Sequence, residues 1–310
     1  MIYTVTLNPA IDKTVEIDGL TLGSVNRISA LRADAGGKGI NVSKVVATLS
    51  GNSIAHGIIG GTGGQMIKNT LEASGIKTDF VEVEAETRVN MKIIDTKNHC
   101  NTDINEPGAP VTADTIKAVE KKLADSLKPG DIAVLAGSVP KGATADIYGR
   151  LVRLCNACEA RAILDVDGAL MAPGLAAKPY LIKPNIEELS RLCGKELKTP
   201  KDCIIPIKKL LADGIEKVVV SLGGDGAIFA DKDAIYHAHP VKVNVRSTVG
   251  AGDSMVAAIC VSLDRGASIQ DTMALAIATS AANVTCSGTQ AAEWSMIEPL
   301  IKQVSWEKLV

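Results

Sequence analysis

Aromatic side chains are scarce in this sequence, whose 310 residues include only two Trp, four Tyr and two Phe. Nucleic-acid modules usually stack bases on such rings, and many carbohydrate modules stack sugars on Trp. The scarcity argues against both classes. It predicts that whatever is bound here is held mostly by polar groups and by the backbone.

An excess of charge of either sign is also missing. Lys and Arg total 33 and Asp and Glu total 35, spread without long blocks. The chain therefore lacks the basic surface expected for DNA, RNA or an anionic membrane. No apolar run reaches the roughly 20 residues of a membrane span, and Met1–Leu7 does not resemble a signal peptide. We expect a cytoplasmic protein with no nucleic-acid or membrane partner.

Recognisable metal or redox spacings of Cys and His are few. The seven cysteines are scattered, and the single CxxC, Cys155 to Cys158, falls in a helical pattern, which favours ordinary reduced thiols. The four histidines show no ligand spacing, and the alternation in His237-Ala-His239 is typical of a surface strand.

The dominant pattern is an alternation of short β-branched runs with amphipathic helices, which predicts an α/β fold with a mostly parallel sheet. Several strands are apolar on consecutive residues, as expected when helices cover both faces. The predicted strands are 2–7, 54–59, 132–136, 162–165, 180–183, 218–221 and 227–230. The predicted helices are 39–50, 62–74, 113–126, 144–158, 186–193, 200–213, 253–264 and 268–286.

Two segments, 12–35 and 88–105, break this alternation with half-polar strands that have no adjacent helix. Each is too short to be a domain. We expect one domain over residues 1–310 in which these segments form a small second sheet that covers an edge of the main sheet and acts as a lid.

A glycine-rich turn, Thr248-Val-Gly250-Ala251-Gly252-Asp253, precedes a long predicted helix. Its exposed backbone N–H groups at a positive helix end favour an anion. Asp253 could simply cap this helix. It could also deprotonate a hydroxyl that attacks a bound phosphoryl group.

A second glycine cluster, Gly36-Gly37-Lys38-Gly39-Ile-Asn41, also precedes a predicted helix. The helix start and Lys38 favour an anion, although a plain loop explains these six residues equally well. The spacing matches neither a Walker A motif nor GxGxxG.

Three further motifs remain open to a structural interpretation. Asp12, after the first strand, could hold ligand hydroxyls or belong to a turn. The segment 221–226 could be a hairpin turn or a glycine platform for a purine. Asn185 and Glu188 could order Mg²⁺ or form a capping box.

Taken together, these residues resemble the PfkB, or ribokinase-like, family of sugar kinases over essentially the whole chain. Residues 36–39 with Asn41 are similar to its N-terminal signature, and 248–253 to its more specific C-terminal signature. Residues 4–12 resemble the phosphosugar branch, which holds 1-phosphofructokinases and tagatose-6-phosphate kinases. Residues 87–92, 102–105 and 247–256 look more like the former. The resemblance implies a three-layer α/β/α fold with a small β-sheet lid.

The resemblance also implies roles for individual residues. Asp253 would be the base, and Gly250, Ala251 and Gly252 the backbone anion hole. The sugar phosphate would be held by Asp12, Asn41, Gly37, Lys38, Arg88, Ser138 and, as a third cation, Arg27. The ATP site would include Lys183, Asn185, Ser221, Gly223, Gly224, Asp225, Gly226, Thr248 and Asn283, with Glu188 ordering Mg²⁺ through water.

The reaction implied is ATP-dependent phosphorylation of fructose 1-phosphate to fructose 1,6-bisphosphate. The nearest alternative is a tagatose-6-phosphate kinase. A non-catalytic sugar-phosphate sensor is an alternative of another class, and a dinucleotide-dependent oxidoreductase would lack its GxGxxG motif. Relatives pair through their lid strands, so a homodimer is expected.

Overall fold

The computed structural model describes residues 1–286, 288 and 290–310. The strands are β1 Ile2–Thr6, β2 Ala10–Ile17, β3 Ala30–Gly36, β4 Ser53–Gly60, β5 Lys77–Val83, β6 Arg88–Asp95, β7 Cys100–Asn105, β8 Ile132–Ala136, β9 Arg161–Asp165, β10 Leu181–Ile182, β11 Lys217–Ser221, β12 Ala227–Ala230, β13 Ile235–Ala238 and β14 Trp306–Lys308. The α-helices are α1 Lys38–Thr48, α2 Gly61–Ala73, α3 Ala113–Ser126, α4 Ile147–Ala157, α5 Met171–Ala176, α6 Ile186–Cys193, α7 Ile204–Ala212, α8 Ala251–Asp264, α9 Ile269–Asn283 and α10 Trp294–Ile301.

Ten strands form the main sheet in the order β14-β13-β12-β11-β10-β9-β8-β1-β4-β5. The strands from β11 to β5 run parallel, and β12, β13 and β14 extend the sheet antiparallel. Strand β1 pairs with β4 on one side and with β8 on the other. The strand order therefore reverses at β1, and in open α/β sheets ligands bind at such a point, beyond the carboxyl ends of the strands.

Helices cover both faces of this sheet because successive strand residues point to opposite faces. Ile2 packs with α1, α8, α9 and α10 on one face, whereas Tyr3 packs with α3 and α4 on the other. Strand β8 is buried at all five positions, as expected for a strand covered on both sides. The predicted three-layer α/β/α arrangement is confirmed.

The small second sheet is also confirmed, with strand order β3-β2-β6-β7. Its four strands lie largely within the predicted segments 12–35 and 88–105, although β2 begins at Ala10. The sheet follows directly from the carboxyl ends of β1 and β5, and β5 is an edge strand of the main sheet. This connection places the small sheet next to the reversal point at β1.

Some element boundaries differ from the sequence-based expectation. The predicted helix 200–213 is a short 3₁₀ turn, Pro200–Cys203, followed by α7, because Thr199 caps the turn in a capping box with Asp202. Helix α4 begins at Ile147, three residues later than expected. Strands β5 and β14 and helices α5 and α10 were not predicted. Strand β14 is exposed at all three residues and has little hydrophobic signal.

The expectations about the cysteines and about membrane-spanning segments can be compared with the structure. All seven cysteines are free, and burial raises the pKa of the Cys155 thiol to about 12. Within the described parts of the chain, none of the helices combines the length and the apolar character needed to cross a bilayer.

Candidate active site

The helix α8 begins at the glycine-rich turn and carries Asp253 as its third residue. Gly250 precedes the helix with φ of 79°, in the left-handed region that glycine adopts without strain. The first bond of the helix runs from the Ser254 N–H to the Gly250 carbonyl at 2.9 Å. The N–H groups of Gly252 and Asp253 come before that bond and have no acceptor within the helix.

Asp253 is buried, and its Oδ2 accepts a 2.8 Å hydrogen bond from Asn41 Nδ2. Asn41 lies in the first turns of α1, after the other glycine cluster, so the two signature motifs meet at this bond. Burial, together with the charge of Asp165, raises the pKa of Asp253 to about 6. The carboxyl group is thus tuned toward a role in which it gains and loses a proton near neutral pH.

The other polar atom of the Asn41 amide is its oxygen, Oδ1. Its Oδ1 is buried and finds no hydrogen-bond donor among the described residues. A buried acceptor left without a donor costs free energy. A hydroxyl group of a bound sugar is a donor of the right kind to satisfy it.

Asp165 is a central residue that the sequence-based assignment of site residues left out. It ends strand β9 and lies between two lysines, 3.0 Å from Lys38 Nζ and 3.6 Å from Lys183 Nζ. Burial would raise its pKa, but the two ammonium groups hold the pKa below its usual range. The available signal was its position at the end of a buried strand.

The charged cluster of Asp165, Lys38 and Lys183 also connects the start of α8 with the end of β10. A Cβ placed on Gly252 would lie 3.1 Å from Lys183 Nζ, so this ammonium group lies against the start of α8. Asp165 and Asp253 together keep the pKa of Lys38 above its usual value despite burial. Two cations and two carboxylates are therefore gathered around the positive end of one helix.

Arg88 and Ser138 meet just beyond the end of β8. Arg88 donates to the carbonyls of Asn8, at 3.0 Å, and Glu106, at 2.8 Å, and its Nη2 lies 3.5 Å from Ser138 Oγ. Gly137, the neighbour of Ser138, approaches the Lys38 side chain. The turn at residues 137 and 138 thus connects the two predicted phosphate-binding cations.

Asp12 lies on β2 and accepts a 2.9 Å hydrogen bond from Asn90 Nδ2 on the paired strand β6. Burial raises the pKa of Asp12. A side chain on Gly36 would collide with this carboxylate, and one on Gly37, whose φ is 124°, would press against Thr6. Asn8 and Asn90 were not predicted as site residues. Asn90 lies opposite Asp12 across the paired strands, and the Asn8 carbonyl accepts from Arg88.

The segments around Asn185 and Ser221 lie side by side at the ends of β10 and β11. The two residues form a β-bridge, and the Ser221 N–H donates to the Pro184 carbonyl at 3.0 Å. Asn185 and Glu188 form a capping box, each side chain accepting from the other's backbone N–H at 2.8 Å. The structural interpretation of this pair, a capping box, is correct.

The glycine segment between β11 and β12 is an exposed 3₁₀ turn, Gly223–Asp225. Gly223 and Gly224 have open space where a side chain would lie, whereas Gly226 packs against the Ala238 carbonyl and leaves no room for one. Asn283 is buried and donates to the Val249 carbonyl at 3.3 Å. Its side chain therefore supports the turn that contains Thr248 and Gly250.

Arg27 is the predicted residue that lies apart from this cluster. It is exposed in the loop between β2 and β3.

The oxygen donors near the site fit a magnesium ion bound through water better than one held directly. Asp165 is neutralised by Lys38 and Lys183, and one oxygen of Glu188 is used in the capping box. Mg²⁺ keeps several waters and needs only one or two carboxylates. The remaining oxygen of Glu188 fits that requirement.

Comparison with known proteins defines the class. Residues 5–296 match the model of the pfkB family carbohydrate kinases. A 1-phosphofructokinase of Bacillus subtilis (strain 168) is 36% identical over 282 residues, which cover 91% of this chain and 92% of that protein. The chain belongs to the PfkB family, and it is an ATP-dependent phosphotransferase that acts on a sugar phosphate.

Solved structures agree with this assignment. The phosphofructokinase-2 of Escherichia coli, in complex with substrates and products, superposes with a TM-score of 0.92 at 29% identity and covers 97% of this chain and 98% of that one. A ribokinase from Thermotoga maritima, 23% identical, covers 97% of this chain and 99% of that one and shares the fold with a TM-score of 0.79. The ribokinase-like fold class predicted from the sequence is confirmed.

Proposed function

We propose that this enzyme transfers the γ-phosphoryl group of ATP to the free primary hydroxyl of fructose 1-phosphate, giving fructose 1,6-bisphosphate and ADP. The observation that carries the proposal is the buried Asp253 carboxylate, held by Asn41 at the start of α8 beside Lys183. The similarity of the whole chain to curated 1-phosphofructokinases supports the choice of fructose 1-phosphate as the substrate.

In the proposed step Asp253 takes the proton of the attacking hydroxyl. The hydroxyl oxygen forms a bond to the γ-phosphorus while the bond from that phosphorus to the β-bridging oxygen breaks, and ADP leaves. Asn41 keeps the base in place through its 2.8 Å bond to Oδ2. Asn41 Oδ1, which has no partner of its own within the described residues, accepts from a neighbouring sugar hydroxyl.

The charge that develops on the transferred group meets the start of α8. The N–H groups of Gly252 and Asp253, which precede the first helical bond, would donate to it, while Gly250 and Ala251 form the turn of the predicted anion hole. The helix dipole favours negative charge there. Lys183 adds a full positive charge beside Gly252. This arrangement is preorganised, so the protein pays little reorganisation energy when the phosphoryl group moves.

The phosphate already on the sugar would bind between Lys38 and Arg88, with Ser138 as a hydroxyl donor. Arg27, exposed in the loop between β2 and β3, would join them as a third cation only when the small sheet moves over the sugar. Asp12 would accept from sugar hydroxyls beside Asn90. A planar guanidinium such as that of Arg88 matches phosphate geometry with paired donors. Movement of the small sheet over the sugar would exclude water from the transfer.

The nucleotide would lie along the ends of β10 and β11, over Asn185, Ser221 and the open glycines 223 and 224, with Thr248, Asp225, Gly226 and Asn283 at its border. Glu188 would hold Mg²⁺ through water, and the ion would neutralise charge on the phosphates. Since the glycine turn leaves open space, the adenine would rest on backbone and small side chains without ring stacking.

The chain would act as a homodimer that pairs through the small sheet. That sheet exposes apolar side chains on its strands and on the loop between β2 and β3, including Leu22, which is 90% exposed, Val25, Leu31 and Ile104. Its edge strand β7 is exposed at every residue. Exposed apolar patches and unpaired edges mark surfaces that bind a partner.

A coupled ADP-release assay with fructose 1-phosphate, tagatose 6-phosphate and fructose 6-phosphate tests the substrate. We expect kcat/KM to be at least tenfold higher for fructose 1-phosphate than for the other two sugars. A preference for tagatose 6-phosphate would replace the proposed substrate. ADP release with none of the three would favour a sugar-phosphate sensor.

A further inference from the structure

Two histidines and a glutamate meet at the far end of the main sheet, on strands that the proposed reaction does not use. His237 lies on β13 and His239 follows two residues later, so both side chains point to the same face. The antiparallel register places Glu307 of β14 directly opposite His237. One ligand atom from each of the three residues lies within 4.8 Å of the others.

Hydrogen bonding fixes the orientation of the His237 ring. Its Nε2 lies 2.8 Å from the carbonyl oxygen of Asp225, which can only accept, so Nε2 carries the proton. The lone pair is then on Nδ1, which lies 3.7 Å from Glu307 Oε1. A backbone carbonyl that binds the second ring nitrogen is the usual support of a metal-binding histidine.

Burial and packing hold the group together. His237 is buried, and its ring contacts that of His239 at 4.6 Å between centroids. The His239 N–H donates to the Ser305 carbonyl at 2.8 Å, which fixes the backbone beside β14. Ligands bonded at about 2.1 Å in a tetrahedron lie roughly 3.4 Å apart. The three ligand atoms, which lie within 4.8 Å of one another, therefore need to draw together by no more than about 1.4 Å.

We propose that His237, His239 and Glu307 bind a divalent transition-metal ion of the zinc class. Two imidazole nitrogens and one carboxylate oxygen suit Zn²⁺, Co²⁺ and Ni²⁺ and do not suit Mg²⁺, which prefers oxygen ligands. Three protein ligands leave a fourth position for water. Because the ligands come from β13 and β14, the ion cross-links the exposed strand β14 to the rest of the sheet.

Binding of Zn²⁺ alone, without nucleotide or sugar, tests the site by isothermal titration and thermal unfolding. We expect one equivalent to bind the wild-type enzyme and raise its Tm. His239→Ala and Glu307→Gln should each weaken the affinity at least tenfold and abolish the rise in Tm. His99→Asn is the matched control, since His99 is an exposed histidine in the turn between β6 and β7 with φ of 52°, a conformation that Asn tolerates.

Exposed thiols are the competing ligands, because Cys100 and Cys193 are exposed and free. Titration with Co²⁺ distinguishes the two sources, since a thiolate ligand adds a strong charge-transfer absorption that nitrogen and oxygen ligands lack. We expect no such absorption in the first equivalent. Unchanged Zn²⁺ affinity in both His239→Ala and Glu307→Gln, or a thiolate band in the first equivalent, would overturn the proposal.

Discussion

At the scale of single residues, Asp253 is the most sensitive position. Asp253→Asn keeps the size and the hydrogen bond to Asn41 but removes the base, so kcat should fall by several orders of magnitude while ATP still binds. Steady-state kinetics and equilibrium dialysis with ATP check both parts. Asp271→Asn, which changes the third residue of the neighbouring helix α9, is the matched control. Near-normal turnover in Asp253→Asn would remove Asp253 from the proposed role.

The raised pKa of Asp253 predicts a pH dependence. With a folded pKa of about 6, kcat/KM should fall about tenfold per pH unit below that value as the base becomes protonated. The sugar phosphate also ionises in this range. Its contribution is measured separately as the pH dependence of substrate binding to Asp253→Asn. A profile of kcat/KM identical to that binding profile would contradict the assignment.

The raised pKa of Asp253 also makes the stability of the folded protein depend on pH. Because the folded pKa exceeds the unfolded value, the stabilisation from protonated Asp253 is complete below about pH 4 and is lost as the pH rises through about 6. Asp253→Asn should therefore unfold at a higher Tm than the wild type at pH 8, with a smaller difference at pH 5.

Arg88 tests the proposed binding of the sugar's phosphate. Arg88→Ala should raise KM for fructose 1-phosphate at least tenfold and change KM for ATP by less than twofold. Arg150→Ala, which removes a guanidinium paired with Glu120 in the outer helices, serves as the control. Equal effects on the two KM values would mean that Arg88 mainly holds the loops of Asn8 and Glu106 together.

At the scale of elements, the turn after β8 depends on one phenol. Tyr148 on α4 donates its single proton to either the Ala136 or the Gly137 carbonyl, at 3.0 and 2.9 Å, just before Ser138. Tyr148→Phe removes the phenol donor from whichever of these carbonyls it serves, at a cost of about 1–3 kcal/mol. It should also lower kcat/KM severalfold because Ser138 loses its position.

Urea unfolding and kinetics of Tyr148→Phe measure these two effects. Tyr236→Phe is the matched control, since Tyr236 lies on β13 and packs against Trp306. If both variants lose the same stability and retain the same kcat/KM, Tyr148 has no special role in positioning the turn.

At the scale of the whole molecule, the small sheet determines the expected assembly. Leu22→Glu places a charge on the exposed apolar patch and should convert the dimer to a monomer in light scattering. Ile205→Glu is the control, because Ile205 is 79% exposed on the outer helix α7. A wild-type monomer, or a dimer unaffected by Leu22→Glu, would contradict pairing through this sheet.

Much of this molecule could be predicted from the sequence because its signals are local. The alternation of apolar runs and helical patterns predicted the layers, and the glycine turns before α1 and α8 predicted where an anion would bind. The split of helix 200–213 and the late start of α4 were missed, because caps and turns compete with helix propensity within a few residues.

The residues of the candidate site also fall into two groups, those that local sequence signals predict and those that only the tertiary structure reveals. Asp253, Asn41 and Lys38 could be predicted, since each stands at a helix start marked by glycine. Asp165 could be recognised as central only in the tertiary structure, because its importance comes from two lysines that lie 127 and 18 positions away along the chain. Long-range contacts of this kind leave no periodic signal in a single sequence.

By itself the sequence determined the fold class, the family resemblance and a ligand held by polar groups and backbone, because composition, hydrophobic period and glycine spacing are properties of short segments. Only the tertiary structure decided how burial, together with Asp165, raises the pKa of Asp253, how the turn at Ser138 lies between two cations, and how Glu307 faces His237. Those features depend on which strands become neighbours, and strand order is fixed by packing of the whole chain.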